Sequence, residues 1–524
     1  MTVKRRDLFA AGAGGAMTLL MPRAHAQSLS QPGSILNGTS TAAEARNRII
    51  GTPNGIVACA ARQHPLPQNS VIDSTNNTLN QRGAYAAPAA CDITDIVLAY
   101  PGSAQISTGE ADLPVATVTV TASIEYPAGT FTPAYVNGGR SLTVTAGRTM
   151  AKFDPIPLVI PAGQTFWVKT FASWSTGTFW LNLHGGAELN PGTWCNKAIG
   201  AADNTLTSTV LGTSGGNYQP IIYGRLATPV ASVGILGDSI SESVGDVADA
   251  VTQAIFLEKA FRGQIPVLNV SINGTGFNTY LTRNQGIHMN LRDTVTHLIL
   301  SWCRNDLQGH TAADAEGKLL TVLAPFLDRG VKVWGVTCLP TATSSDNFAT
   351  TANQTVANSG NETQRLLYNT WLRSNYASIG LQGYFDWARA VDPTDSGKWS
   401  VDGAPGKSAA GFPVMSGRAI SSVAIGAYWG GQNSGGSLYP ISSTIPCVVR
   451  PMPGDTGTGG GVVTMTTNGS GVGTAFNVTS GGDYDFAPLV APQGSWTLDG
   501  VHPSPRGCNE IIWATGLRPG LFTV

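Results

Sequence analysis

From residue 229 onward the chain alternates short apolar runs with longer segments of helical period, and that alternation admits few folds. Runs at 232–236, 267–271, 296–302, 332–338 and 383–387 read as strands. Segments at 247–262 (Val247, Val251, Ile255, Phe256, Leu257), 312–324 and 362–376 read as helices. Strands alternating with helices of about ten or more residues imply βαβ units. Each parallel pair needs a right-handed crossover, so the strands gather into one parallel sheet. The expected class for 229–524 is α/β.

The texture upstream differs. Residues 27 to about 90 are polar and rich in Gly and Asn. Between 92 and 224 short β-like runs follow one another at 93–99, 116–126, 141–144, 157–160, 165–173 and 178–184. Turn signals separate them, among them Pro101-Gly102, Pro127-Ala128-Gly129, Gly138-Gly139 and Pro161-Ala162-Gly163. This spacing predicts a β-sandwich, jelly-roll-like module over 27–228. Within the α/β region, 398–492 breaks the rhythm with Gly, Ser and Thr and reads as a β-rich insertion with runs at 462–467 and 474–479. A closing helix is expected over 505–517, with Ser504 as N-cap and Pro505 at the first helical position, where its missing N–H leaves nothing unpaired.

Composition narrows the function classes. A chain of 524 residues is expected to form two or three domains. Only 12% of residues are charged and the net charge is −1, so no basic surplus exists to neutralise phosphates and nucleic acid is not an expected partner. At the N-terminus Lys4-Arg5-Arg6 precedes a Gly/Ala-rich apolar stretch over 10–21 and the small residues of Ala24-His25-Ala26. This resembles a twin-arginine signal peptide over 1–26, and the expected location is periplasmic or secreted. The apolar stretch is too short for a permanent anchor and no other run approaches a membrane span.

Seven cysteines occur (Cys59, Cys91, Cys195, Cys303, Cys338, Cys447 and Cys508) without a CxxC pair, so no zinc site is expected. In an oxidising compartment one or two disulfides are expected. His64, His184, His288, His297 and His310 show no metal spacing and read as structural or exposed, with His310 and Arg304 near enough to Asn305 to line a site. Trp194, Trp387, Trp429 and Trp496 read as packing residues rather than sugar platforms. No metal or organic cofactor is implied.

The polar turns carry the chemistry, because ligands of an open parallel sheet bind beyond the carboxyl ends of its strands. The first strand ends in Gly237-Asp238-Ser239, the second runs into Asn273-Gly274-Thr275-Gly276, and the third into Cys303-Arg304-Asn305-Asp306. Asp499-Gly500-Val501-His502 lies just before the closing helix. A serine hydroxyl needs a base within hydrogen-bond reach, which His502 supplies, and Asp499 can orient the imidazole. Gly237 would permit the tight turn that presents Ser239. The N–H groups of Ser239 and Gly274 and the side-chain amide of Asn305 would form an oxyanion hole, with Gly276 an alternative to Gly274.

These four blocks, in this order, resemble those of the SGNH (GDSL-like) hydrolase family, over roughly 230–524. The resemblance implies a three-layer α/β/α, flavodoxin-like domain and ester hydrolysis through an acyl-enzyme, with Ser239, Asp499 and His502 catalytic. The chain departs from the family pattern at Cys303, where Gly is usual, and at Ile240, where Leu is commoner. The expected substrate is a small-molecule or polysaccharide ester, with deacetylation of a carbohydrate foremost. The rival readings are a lipase or arylesterase on small acyl esters, an acyltransferase on the same triad, and a non-catalytic glycan-binding protein.

Overall fold

The computed structural model describes residues 55–65, 68–106, 109–147, 149–175, 177–181, 193–212, 216–246, 256–282, 286–401 and 496–524, with the backbone of five short strands between 418 and 488. The signal segment, most of the expected insertion, and the first half of the expected 247–262 helix lie outside the described residues.

Five strands form one parallel sheet: β1 (Val233–Leu236), β2 (Val267–Asn269), β3 (His297–Leu300), β4 (Lys332–Val336) and β5 (Gly383–Phe385), in the order β2-β1-β3-β4-β5. The chain runs outward from β1 to one side, then returns to build the other. β1 and β3 are therefore adjacent at the point where the winding reverses, and the loops that leave their carboxyl ends diverge to open a crevice. The protein is α/β, as the alternation predicts.

The strands β1, β2 and β3 are buried on both faces, and β4 and β5 nearly so, so the residues of the sheet are divided between two cores. Leu236, Leu268, Leu298, Leu300 and Val333 point into one core. It also contains residues of α2 (Phe277–Thr282), α3 (Gly286–Thr294), α4 (Ala312–Leu327) and α5 (Ser359–Asn375). Val233, Ile235, Val267, Ile299 and Val336 point into the other, with residues of α1 (Phe256–Phe261), α6 (Trp387–Val391) and α7 (Pro505–Thr515). Helix α4 runs three residues past the expected end, carrying Pro325 in its last turn, where the absent N–H leaves the cap at Asp328 intact. Helix α5 starts three residues before the expected one, because Asn358 caps it by accepting the Asn361 N–H. The short helices α2, α3 and α6 have too few turns to show a period and are not among the expected elements.

The β-rich region contains, among the described residues, a four-stranded sheet built on Ile93–Pro101 and Ile221–Leu226. A six-stranded sheet is built on Thr78–Ala86, Thr117–Glu125 and Thr165–Trp174. Residues of both enter a common core, including Ile96, Leu98 and Tyr100 from the first and Val118, Val120, Ile124, Phe166 and Val168 from the second. The alternate residues of the first sheet, Val97, Ala99, Ile221 and Tyr223, turn the other way and join the core of α2–α5. One antiparallel sheet thus serves two cores. Residues 60–63 of the β-rich region also extend the parallel sheet past its β2 edge. Val267 N–H donates to Ala60 O and Asn269 N–H to Gln63 O, which covers that edge.

The described cysteines Cys59, Cys91, Cys195, Cys303, Cys338 and Cys508 are all free and buried, so the expected disulfides are not found among the described residues. They are distributed over the three cores as small apolar fillers. Burial pushes the Cys91 thiol up to about 11 and the Cys195 thiol up to about 12. No helix among the described residues is long and apolar enough to cross a membrane.

Candidate active site

Ser239 stands three residues beyond the carboxyl end of β1, at the β1/β3 crevice. Gly237 before it does not adopt a left-handed conformation; what it supplies is space. A Cβ there would lie 1.9 Å from Ser301 Oγ and 2.6 Å from Ser241 Oγ. Those two hydroxyls bond to each other directly beneath the turn. The turn is then closed by the Glu242 N–H to Asp238 O at 2.9 Å and the Val244 N–H to Ser239 O at 2.9 Å.

The second contributor is the loop before α7. Asp499 Oδ1 accepts the N–H groups of Val501 and His502, each at 2.8 Å, which folds the four residues into a tight turn. Gly500 has φ +85°, and a Cβ there would fall 1.9 Å from Ala342 O. The loop is held from outside as well. Ala342 N–H and Trp399 Nε1–H both donate to Gly500 O, at 3.1 and 3.0 Å, and Thr497 Oγ1 donates to His502 O at 2.7 Å. Ser504 then caps α7 by accepting the Gly507 N–H.

The two loops meet through one imidazole. His502 Nδ1 is 2.7 Å from Asp499 Oδ2, and His502 Nε2 is 2.9 Å from Ser239 Oγ. Asp499 is partly buried, which by itself would raise its carboxyl. The bonds from the His502 ring and from the backbone N–H groups of His502 and Val501 outweigh that and hold it at about 2. An ionised carboxylate can only accept, so Nδ1 carries the proton and Nε2 is free to accept the Ser239 hydroxyl.

The third loop follows β3. Asn305 Nδ2 donates to Thr275 O at 2.8 Å. An amide nitrogen has two protons, so one anchors the side chain and the second remains to be directed into the crevice. Thr275 is tied in turn to Trp302 Nε1–H at 3.1 Å and to Ile272 O at 2.7 Å. Gly274 has φ +78°, and the described residues offer no acceptor to its N–H or to that of Ser239. Gly276, the alternative donor, has a steric reason to be glycine: a Cβ would lie 2.6 Å from Asp306 Oδ2. Asp306 accepts the N–H groups of Phe277 and Asn278 at 2.8 and 3.0 Å, pinning the start of α2 against the loop after β3.

Two carboxylates visible in the motifs carry no role in the sequence reading. Asp238 is wholly buried, and burial raises its carboxyl to about 7. The Ile240 N–H and the charges of His502 and Arg304 oppose that rise, and Asp306 adds to it. Burial likewise raises Asp306 above the ordinary carboxylate range. Their spacing beside the other block residues was the available signal, but burial depends on the packed structure. His288 and His297 are buried, and His310 is exposed beside Asp314 at 3.5 Å. Trp194 and Trp387 are buried in cores, and Trp429 lies outside the described residues. The described residues hold no cluster of His, Cys, Asp or Glu that could bind a metal.

A cavity of about 180 Å³ opens on the loop that also carries Asn305. Its walls are the loop after β3 (Arg304, Gln308), the loop after β4 (Leu339, Thr341) and the first turns of α5. The loop after β4 continues to Ala342, which holds the Asp499–His502 turn.

No family model and no curated protein sequence matches the chain. Among solved structures it is similar to a Bacteroides fragilis protein described as an acylhydrolase, at 13% identity over 56% of this chain and 88% of that one, with a TM-score of 0.28. An acetylxylan esterase from Geobacillus stearothermophilus overlaps at 11% identity, 30% of this chain, 77% of that one and a TM-score of 0.23. Overlap at these TM-scores says nothing about substrate. The solved structures to which this chain is similar also include a GDSL-like lipase from Bacteroides thetaiotaomicron, at 12% identity, 31% of this chain, 70% of that one and a TM-score of 0.23.

Proposed function

We propose that the protein is an exported serine ester hydrolase of the SGNH type that removes acetyl groups from carbohydrates through an acyl-enzyme. Its catalytic domain is a three-layer α/β/α unit over 229–524, preceded by a β-sandwich module. The reading is carried by the unbroken hydrogen-bonded chain from Asp499 through His502 to Ser239, spanning 263 residues of sequence.

In this mechanism Ser239 Oγ attacks the ester carbonyl as its proton passes to His502 Nε2, and the carbonyl π electrons move onto oxygen. The N–H groups of Ser239 and Gly274 and the second amide proton of Asn305 stabilise that oxyanion. Asp499 holds the imidazolium in orientation. As the tetrahedral intermediate collapses, His502 returns the proton to the departing alcohol and the C–O bond breaks. Water, deprotonated by the same imidazole, then attacks the acyl-enzyme, releasing the acid and restoring Ser239.

The cavity between the loops after β3 and β4 mixes hydrogen-bonding side chains (Gln308, Thr341, Asn358, Asn361) with apolar ones (Leu307, Leu339), a lining that supports a sugar ring over a long acyl chain, which would need an apolar slot. The test is acetate release from acetylated glycans and p-nitrophenyl acetate by wild type and Ser239→Ala. The variant should lose on the order of 10⁶ in turnover. Equal release by both proteins would sink the mechanism.

A further inference from the structure

Two arginines line the cavity, and among the described residues one of them makes no ion pair. Arg365, on its far wall, is engaged by Glu362 at 2.7 Å through Nε and by the buried Asp392 at 3.3 Å. Arg304 has no such partner. Among the described residues it makes no hydrogen bond or ion pair, and its Nε is buried and unpaired. A guanidinium presents five donors in a planar fork that matches a carboxylate, and leaving a buried donor unpaired is costly. Arg304 also sits next to Asn305 in sequence, and its charge reaches Asp238 beside the nucleophile. The cavity therefore shares the loop after β3 with Asn305, at the carboxyl edge of the sheet where Ser239 stands.

We propose that this cavity takes the alcohol side of the ester and that Arg304 selects a substrate bearing a carboxylate there, such as an O-acetylated uronic acid in an acidic polysaccharide. The inference rests on the esterase reading and names its substrate class. A singly charged carboxylate suits the site better than a phosphate monoester of about two negative charges, because Glu362 is part of the opposite wall and Asp392 stands behind Arg365 there. Gln308, Thr341 and Asn361 supply neutral donors and acceptors for hydroxyl groups on the same ring.

The test compares kcat/KM for O-acetylated oligogalacturonate and O-acetylated xylo-oligosaccharide in wild type, Arg304→Gln and Arg304→Lys. Wild type should favour the acidic substrate by about tenfold or more, with the preference weakening as salt is added. Arg304→Gln should lose most of that ratio, mainly through KM, and Arg304→Lys should restore part of it. Unesterified oligogalacturonate should inhibit p-nitrophenyl acetate hydrolysis competitively in wild type, and about tenfold more weakly in Arg304→Gln. An acidic-to-neutral ratio that is the same in wild type and Arg304→Gln would overturn the assignment while leaving the esterase standing. Wild type inert on every ester, p-nitrophenyl acetate included, would overturn both.

Discussion

Asn305 shows how much of this site is set by single atoms. One of its amide protons is committed to Thr275 O, and that commitment fixes where the other one points. Asn305→Ala should therefore lower kcat by about 10²–10³ while changing KM little, since the missing donor acts on charge that develops only in the transition state. A rise in KM at constant kcat would show that Asn305 binds substrate instead. Ser239, His502 and Asp499 were legible in the sequence because their chemistry restricts residue type and each follows a strand or precedes a helix. The role of Gly237 was not. Its requirement for glycine comes from Ser301, 64 residues away, whose hydroxyl occupies the space a Cβ would need.

At the scale of the element, the Asp499–His502 turn depends on more than its own sequence. Asp499 organises it from within, and Ala342 and Trp399 clamp Gly500 O from two separate segments. Gly500→Ala would place a methyl group against Ala342 O in a left-handed backbone, at a cost of about 1–3 kcal/mol, and shift the imidazole from Ser239. Activity should fall by at least about 10², with a lowered Tm. Ser504→Ala, which removes the cap of α7, should cost about 1 kcal/mol and leave most of the turnover. Equal losses of turnover in the two variants would contradict the clamp. The closing helix, with its Ser-Pro start, was legible from local chemistry. Helices α2, α3 and α6 were not, because five to nine residues hold too few turns for a period to stand out, and tertiary contacts such as Asp306 at α2 decide them.

For the molecule as a whole, the α/β character was legible in the alternation of strands and helices, whereas the sharing of one antiparallel sheet between two cores was not. Strand Ile93–Pro101 reads as an ordinary buried run, and nothing local shows that Val97 and Ala99 belong to a different core from Ile96 and Leu98. Burial also places opposed titrations in the fold. Asp238, raised to about 7, holds a proton in the folded state that the unfolded chain releases near pH 4, so its contribution to stability declines as pH rises from about 4 to 7. His288 and His297 are lowered by burial to about 4. Their contribution is fully present above about 6.5 and is lost as pH falls towards 4. Asp238→Asn removes the first and leaves the second, so its Tm relative to wild type should climb steadily between pH 4 and 7. A constant difference across that range would show that Asp238 is not protonated in the fold.

The central claim is that Ser239 becomes acylated, and acid-quenched intact mass spectrometry after mixing with p-nitrophenyl acetate tests it most directly. The account predicts one acetyl group per chain, located by peptide mapping at Ser239 and absent from both Ser239→Ala and His502→Ala. Turnover that continues with no adduct at Ser239, or with the adduct on another residue, would contradict it.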